Sequence, residues 1–436
     1  MKIDFNKYER IIDKVDTIKM IGKVIRVVGL IIESVGPLVQ LGEHCYIIIQ
    51  ETGVKIDAEV VGFNDDKVLL MPLGEMKGIG YGCEVISTGR SLSVAVSDNL
   101  LGRVLDGLGR PIDDKGDIIT DNYASLENTP PNPLQRKRIK EAISVGVRAI
   151  DGVLTFGMGQ RVGIFAGSGV GKSTLLGMIA RNSSADINVI GLIGERGREV
   201  REFLERDIGP EGMKRSVVVV ATSDQPALVR LKGAMTATSI AEYFREKGNN
   251  VVLMMDSLTR FAMAQREVGL AVGEPPATRG YTPSVFAILP KLLERTGNSD
   301  KGTITGLYTV LVDGDDMNDP IADTVRGILD GHIVLSRGLA AKNHFPSIDI
   351  MTSASRVITE ICDSTHLKNM GKFKEVLATY NSLEDLINIG AYRKGNNPKG
   401  DYAISKIDEV NNFLRQGVNE YSSLDSAKED LEKMFI

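Results

Sequence analysis

The densest chemical signal in the sequence is Ala166-Gly167-Ser168-Gly169-Val170-Gly171-Lys172-Ser173-Thr174. Closely spaced glycines let a loop turn tightly and aim successive backbone N–H groups at phosphate oxygens, close to a helix N-terminus. Lys172 is then placed to bridge β- and γ-phosphates, and the Ser173 hydroxyl to ligate Mg²⁺. The strict phosphate-loop pattern opens on Gly where this chain has Ala166. The rival is a dinucleotide-binding loop. That loop needs Gly-x-Gly-x-x-Gly with no Lys-Ser after it, and here the third glycine comes one residue early.

Two carboxylates follow at the ends of apolar runs. Asp256 closes Val251-Val252-Leu253-Met254-Met255. A carboxylate at the C-terminal end of a buried strand is placed to hold the water shell of Mg²⁺, because ligands gather at that edge of a parallel sheet. An Asp there also suits the cap of a helix over residues 257–267. Glu195 ends another run, in Gly194-Glu195-Arg196-Gly197-Arg198-Glu199. Hydrolysis needs a group that orients and polarises water, and a carboxylate at the same sheet edge supplies one. A surface ion pair within this charge-dense stretch is the alternative, and spacing alone does not choose between them.

A parallel sheet is what must position these groups. Strands are expected over residues 160–166, 187–194, 216–221, 251–256 and 304–312, alternating with helices, one of them from Thr174 to about Arg181. Runs such as Val217-Val218-Val219-Val220 suit strands buried on both faces. A Pro-rich linker, Thr129-Pro130-Pro131-Asn132-Pro133, precedes this domain. Residues 21–93 differ in character. Short β-like runs at residues 23–28, 45–49, 59–61 and 68–71, punctuated by glycines, read as a small barrel. Beyond Val357 the strands stop, and Phe373, Val376, Leu377 and Tyr380, then Ala427, Leu431 and Met434, recur at helical spacing. At the other end Phe5, Tyr8, Ile11 and Ile12 form one helical stripe over residues 5–14, either a cap or a partner-binding helix.

Composition narrows the function classes. A chain of 436 residues suggests two or three domains, and 42% hydrophobic with 25% charged residues is the balance of a globular protein. The net charge of −5 argues against a general polyanion binder. The barrel stretch has only Tyr46, Phe63 and Tyr81 as aromatics, too few for a base-stacking platform. Cys45, Cys83 and Cys362 lie far apart with no CxxC pairing, so reduced thiols are expected rather than disulfides or a zinc site. No apolar run approaches the roughly 20 residues that span a bilayer. The N-terminus mixes both charge signs and lacks the apolar core of a signal peptide, so a cytoplasmic location is expected.

With these residues in view, the sequence resembles the α/β subunits of rotary ATPases and, within them, the flagellum-specific and injectisome type III export ATPases. The superfamily signature stands as Pro346-Ser347-Ile348-Asp349-Ile350-Met351-Thr352-Ser353-Ala354-Ser355. The stretches GERGREV, PATRGYTPSVFAILPKLLERTG and YTVLVDGDDMNDPIADTVRGILDGHIVLSR look specific to the export branch. The resemblance implies an α/β fold in three parts: an N-terminal helix and β-barrel (1–93), a RecA-like ATPase domain (94–357) and a C-terminal helical domain (358–436). It makes Glu195 the catalytic carboxylate, Arg196 its neighbour near the γ-phosphate, Asp256 the Walker B aspartate, and Glu199 a contact of the Mg²⁺ water shell. Phe345 sits where the family sets an aromatic ring against adenine, usually Tyr in synthases. Arg356 matches an arginine finger inserted by a neighbouring subunit.

The implied protein is a homohexamer that hydrolyses MgATP at the cytoplasmic face of the inner membrane. Its implied partners are a regulatory stator-like subunit on the N-terminal helix, export chaperones and substrates, and the membrane export gate. A central coiled-coil stalk is also implied, facing the acidic loop Asp313-Gly314-Asp315-Asp316-Met317-Asn318-Asp319-Pro320. The alternatives are an injectisome ATPase, an ion-coupled synthase subunit, and an RNA-translocating hexamer; the acidic balance speaks against nucleic acid.

Overall fold

The computed structural model describes residues 20–436. The helix expected over residues 5–14 therefore lies outside the described residues. The chain divides into two compact units. One comprises the segment up to Leu92 with two short pieces, Pro226–Val229 and Glu267–Pro275; the other comprises the remainder from Ser93 onward.

The first unit is a closed barrel. Its strands are β1 (Ile21–Val28), β2 (Ile31–Val35), β3 (Glu43–Ile48), β4 (Lys55–Asn64), β5 (Lys67–Pro72) and β6 (Glu84–Ser91). They pair in the order β1-β2-β5-β4-β3-β6, and β6 closes back on β1. Alternate side chains point inward, so Val24, Ile32, Cys45, Ile47, Val60, Leu70 and Val85 fill the interior. Cys45 and Cys83 belong to this core as free thiols. Burial, reinforced by the charge of Glu43, pushes the Cys45 thiol up to about 12 and leaves it a packing group.

The second unit is built on a mostly parallel sheet. Its strands are β7 (Val104–Asp106), β8 (Arg161–Ala166), β9 (Ile187–Ile193), β10 (Ser216–Ala221), β11 (Asn250–Asp256), β12 (Thr303–Leu311), β13 (Gly331–Leu335) and β14 (Ile348–Ser355). They lie in the order β14-β13-β8-β12-β11-β9-β10-β7. All neighbours along it are parallel except β13 and β14. Helices α1 (Lys172–Asn182), α2 (Ala227–Glu246) and α3 (Leu258–Ala271) follow β8, β10 and β11. The central strands β9 and β10 are buried from end to end, and β11 all but its first residue, which explains why they read as unbroken apolar runs rather than alternating ones.

The Pro-rich segment is not the boundary it resembles. Val104–Asp106 precedes it in sequence yet pairs with β10 in the same sheet, so this unit already begins at Ser93. Past the sheet come α4 (Ser364–Asn388), α5 (Pro398–Leu414) and α6 (Leu424–Met434). Each start is fixed by a side chain that accepts a free backbone N–H: Asp363 from His366, Asn397 from Gly400 and Ser423 from Ser426. Their apolar stripes, including Phe373, Val376, Phe413 and Leu431, share one continuous core with Ile150, Val153, Leu154 and the sheet. Among the described residues, no helix is long and apolar enough to cross a membrane.

Candidate nucleotide site

The phosphate loop leaves the C-terminal end of β8 and enters α1. Gly171 is the N-cap of α1 at φ 92°, a left-handed conformation that side chains other than glycine rarely adopt, and no side chain caps the helix. The first N–H groups of α1 are thus left for an external acceptor. Ala166 is buried as the last residue of β8, while Gly167, Ser168, Gly169 and Val170 form the turn. Ser173 and Thr174 fall in the first turn of α1.

The expected trio converges. The Lys172 ammonium lies 2.5 Å from Asp256 Oδ1 and 3.3 Å from Glu195 Oε1. The three side chains are only 13%, 4% and 16% exposed, respectively. Burial lowers the lysine's proton affinity, but the two carboxylates outweigh it and Lys172 is raised overall. Glu195 is pushed up to about 7, first by burial, then by the charge of Asp256, against the pull of Lys172, with a hydrogen bond to Glu199 adding to the rise. Arg196 is exposed and pairs with Glu199 at 3.1 Å, just outside the trio.

Two further residues belong here that the sequence did not single out. Thr309, fully buried on β12, donates its hydroxyl to Asp256 Oδ1 at 2.7 Å. Arg260, in the first turns of α3, carries a buried Nε that has no partner among the described residues. Gly194 makes room for it: at φ 75°, a Cβ there would fall 2.7 Å from Arg260 Cβ. The glycine thus brings the backbone that carries Glu195 against the arginine stem.

Phe345 flanks the loop from the other side. Its ring lies 3.6 Å from where a Gly171 Cβ would stand. With Leu175, Met178, Leu335 and Val418 it lines an apolar cleft of about 260 Å³ whose polar groups include Thr174 and Gln416. Ser347 donates to the Val170 carbonyl at 2.6 Å and ties this wall to the phosphate loop. An apolar cleft beside a phosphate loop suits a purine ring.

Arg356 is not in this site. It follows β14, whose Ser355 pairs with Gly331 at the start of β13, whereas the phosphate loop departs from the level of Leu335. Four residues of strand place the two about 13 Å apart along the sheet direction. Arg356 instead donates to the Arg326 carbonyl at 3.2 Å and is exposed. The acidic loop is partly tied down: Asp316 pairs with Arg279 at 3.0 Å and Asp315 with Arg337 at 3.6 Å, while Asp319 caps the following helix.

The donor set fits a hard divalent cation with a triphosphate. Asp256 and Glu195 present more buried negative charge than Lys172 alone offsets, and the Ser173 hydroxyl stands at the head of α1. Among the described residues no group of three or more His, Cys, Asp and Glu forms a cage able to hold a metal by itself. Mg²⁺ in nucleotide sites takes one or two protein ligands and completes its shell from phosphates and water.

A phosphate loop on one strand end, with carboxylates on two others of the same parallel sheet, defines a P-loop nucleoside triphosphatase. Residues 146–355 match the nucleotide-binding domain of the ATP synthase alpha/beta family, and residues 24–89 its beta-barrel domain. Residues 362–433 match the T3SS EscN ATPase C-terminal domain. The flagellum-specific ATP synthase of Bacillus subtilis (strain 168) is 58% identical over 95% of this chain and 95% of its own length. The type 3 secretion system ATPase of Xanthomonas euvesicatoria is 51% identical over 94% and 92%. The assembled ATPase EscN from the enteropathogenic E. coli type III secretion system superposes with a TM-score of 0.90 at 49% identity, over 95% of this chain and 99% of that one. EscN in complex with its central stalk EscO gives 0.88 at 48%, over 95% and 99%. The chain belongs to the ATP synthase alpha/beta family, in the branch of flagellum-specific ATP synthases and type 3 secretion system ATPases.

Proposed function

We propose that this chain hydrolyses ATP to promote export of flagellar proteins through a type III apparatus, working as a homohexamer. The observation that carries the hydrolysis is the convergence of Lys172, Glu195 and Asp256 at one edge of one sheet. The loop 166–174 holds the phosphates on its N–H groups, with adenine against Phe345. An arriving triphosphate draws Lys172 off its carboxylates and onto the β- and γ-oxygens. Glu195 then orients water in line with the γ-phosphorus and takes its proton as the new P–O bond forms and the bridging bond breaks. Arg196 and Arg260 face the charge that develops there. Ser173 and Asp256, with Glu199 through water, would hold Mg²⁺, which supplies neutralisation of phosphate charge.

Arg356 reaches the site of the neighbouring subunit, a role supported by its place at the opposite edge of the sheet. The division into 1–93, 94–357 and 358–436 assigns assembly, catalysis and partner contact in turn. The proposed partners are a stator-like regulator at the N-terminus, a coiled-coil stalk at residues 313–320, export chaperones and substrates, and the export gate at the cytoplasmic face of the inner membrane. The flagellar branch is favoured over the injectisome branch by the relative at 58% identity.

The test is purification of the native protein under mild conditions with Glu195→Gln as a control. Wild type is expected to release phosphate from MgATP and to bring down flagellar export components, while the variant binds ATP without cleaving it. Recovery with a membrane rotor and a paralogous ring subunit would replace this reading with an ion-coupled synthase.

A further inference from the structure

The acidic loop and Arg356 stand at opposite edges of the sheet, and one short helix joins them. Strand β12 ends at Leu311, which pairs with Ala166 at the level where the phosphate loop departs. The chain turns through residues 313–319, and the helix Pro320–Ile328 carries it back to Gly331 at the start of β13, where Ser355 pairs. Its 9 residues span about 13 Å, enough to reach from one edge to the other.

A single side chain starts this helix. Asp319 Oδ1 accepts the N–H groups of Ile321 and Ala322 at 2.9 and 3.3 Å, and its Oδ2 stands 3.5 Å from Arg279 Nη1. The same guanidinium pairs with Asp316 at 3.0 Å, so the cap and the acidic loop share one cation. Between its ends the helix is fixed by Ile321, Ala322 and Val325, which are fully buried. Arg326 lies in the last turn, where carbonyls lack partners inside the helix and partial negative charge collects. Its carbonyl accepts from Arg356 Nη2 at 3.2 Å. Among the described residues that is the one hydrogen bond of the Arg356 side chain, which makes no ion pair there.

The acidic loop also touches its own phosphate loop. Arg337 Nη2 and Asp315 Oδ1 lie 2.6 and 3.1 Å from where a Gly167 Cβ would stand. Of the two links the helix is the stiffer. Asp315 and Arg337 are 3.6 Å apart and more than half exposed, the kind of surface pair that contributes little. The helix is capped by a carboxylate and packed on the sheet, and loss of such a cap shifts a folding equilibrium by about fivefold. We propose that Asp319 is a positioning residue for Arg356, so that the loop 313–320 of one subunit controls hydrolysis in its neighbour's site more than in its own, a role that rests on the reading of Arg356 as a finger supplied in trans. A partner that bears on Asp316 and Asp319, or draws Arg279 from them, would thereby move the finger.

Rings mixed from two full-length proteins separate the two links. Lys172→Ala subunits keep the finger and lack a working phosphate loop, and Arg356→Ala subunits are the reverse, so phosphate released by the mixture comes from sites formed between them. Asp319→Ala is then placed on one partner at a time. On the finger-bearing partner it should lower kcat about fivefold or more, with KM for ATP held because the nucleotide sits on the other subunit. On the site-bearing partner the loss should be about twofold or less. Asp319→Asn on the finger-bearing partner should recover most of the rate, since asparagine caps a helix about as well as aspartate. Equal losses on either partner would reduce Asp319 to a structural cap, and a larger loss on the site-bearing partner would give control to the Asp315 contact; either overturns the proposal. If the mixture with Asp319 intact releases no more phosphate than its two components alone, the finger itself is removed from Arg356, and this role of Asp319 with it.

Discussion

Two buried ion-pair clusters in the second unit differ in how completely they are closed. In one, Arg295 and Glu242 pair in a fork, Nε to Oε1 at 2.9 Å and Nη2 to Oε2 at 2.7 Å, with side chains 4% and 6% exposed. The remaining groups are also met: Arg295 donates to the Leu126 carbonyl and to Ser239, and Asn128 donates to Glu242. In the other, Lys172 is shared between Asp256 and Glu195, and Arg260 Nε beside them has no partner among the described residues. One cation faces two carboxylates, and a nearby cation is unsatisfied. A cluster that only supports the fold can reach full pairing. A cluster that must receive a triphosphate has to keep donors and charge in reserve.

The widest separation between the clusters should come from outside both. Arg356→Ala is expected to lower ATP turnover by about 10³–10⁵ while ATP affinity stays near wild type, the signature of an arginine supplied in trans. Mixing this variant with Lys172→Ala protein should restore part of the activity, because sites then form between an intact loop and an intact finger. Steady-state phosphate release on the mixtures checks it, and turnover near wild type in Arg356→Ala alone would remove the finger from Arg356.

Next in size is the closed cluster itself. Arg295→Leu leaves Glu242 buried without its fork, and breaking such a pair costs about 3–5 kcal/mol of stability. Denaturant midpoints should fall accordingly, while turnover per folded molecule stays close to wild type. Glu195→Gln should do the reverse: stability held, turnover lost. If both substitutions cost stability alike, the contrast between the clusters collapses.

The two clusters were also unequally legible in the sequence. The run 166–174 carries its chemistry in its own spacing, and the buried strands β9, β10 and β11 appear as apolar runs ending at or near the expected residues. Glu195 needed the family likeness, because a carboxylate among arginines looks the same in a surface ion pair. Thr309 and Arg260 were invisible for a different reason. Thr309 reaches Asp256 only because β12 inserts between β8 and β11 in space, an order the chain does not spell out. Arg260 matters through Gly194, a residue on a different strand end. The Pro-rich segment misled because prolines mark irregular backbone rather than the edge of a unit, and the three-residue β7 before it is too short to show a period.

A smaller effect follows from the open cluster's excess of negative charge. Glu195, pushed up to about 7, must be ionised to accept a proton from water, so it is inactive below that value. kcat/KM should therefore fall about tenfold for each pH unit below 7 and level off above it. Stability runs the other way. The folded protein retains a proton on Glu195 that the unfolded chain releases near its ordinary 4.5, so this group's contribution is present at low pH and is lost as pH rises through about 7. A flat kcat/KM profile from pH 6 to 8 would show that Glu195 is not the group setting the rate.

The subtlest test touches the hinge between the two kinds of cluster, a closed hydrogen bond inside the open site. Thr309 Oγ1 and Lys172 Nζ both meet Asp256 Oδ1, at 2.7 and 2.5 Å. When a triphosphate draws Lys172 away, Thr309 is the contact that still fixes the carboxylate at Oδ1. Thr309→Val keeps the shape and removes the hydroxyl, and a hydrogen bond to a charged group is worth about 1.5–3 kcal/mol. Part of that loss should appear as a raised Mg²⁺ requirement, with turnover at saturating Mg²⁺ lowered about tenfold or less. Thr309→Ser, which retains the donor, should sit close to wild type. An unchanged Mg²⁺ dependence in Thr309→Val would mean that Asp256 is held by its strand alone, and that the open site contains no closed element.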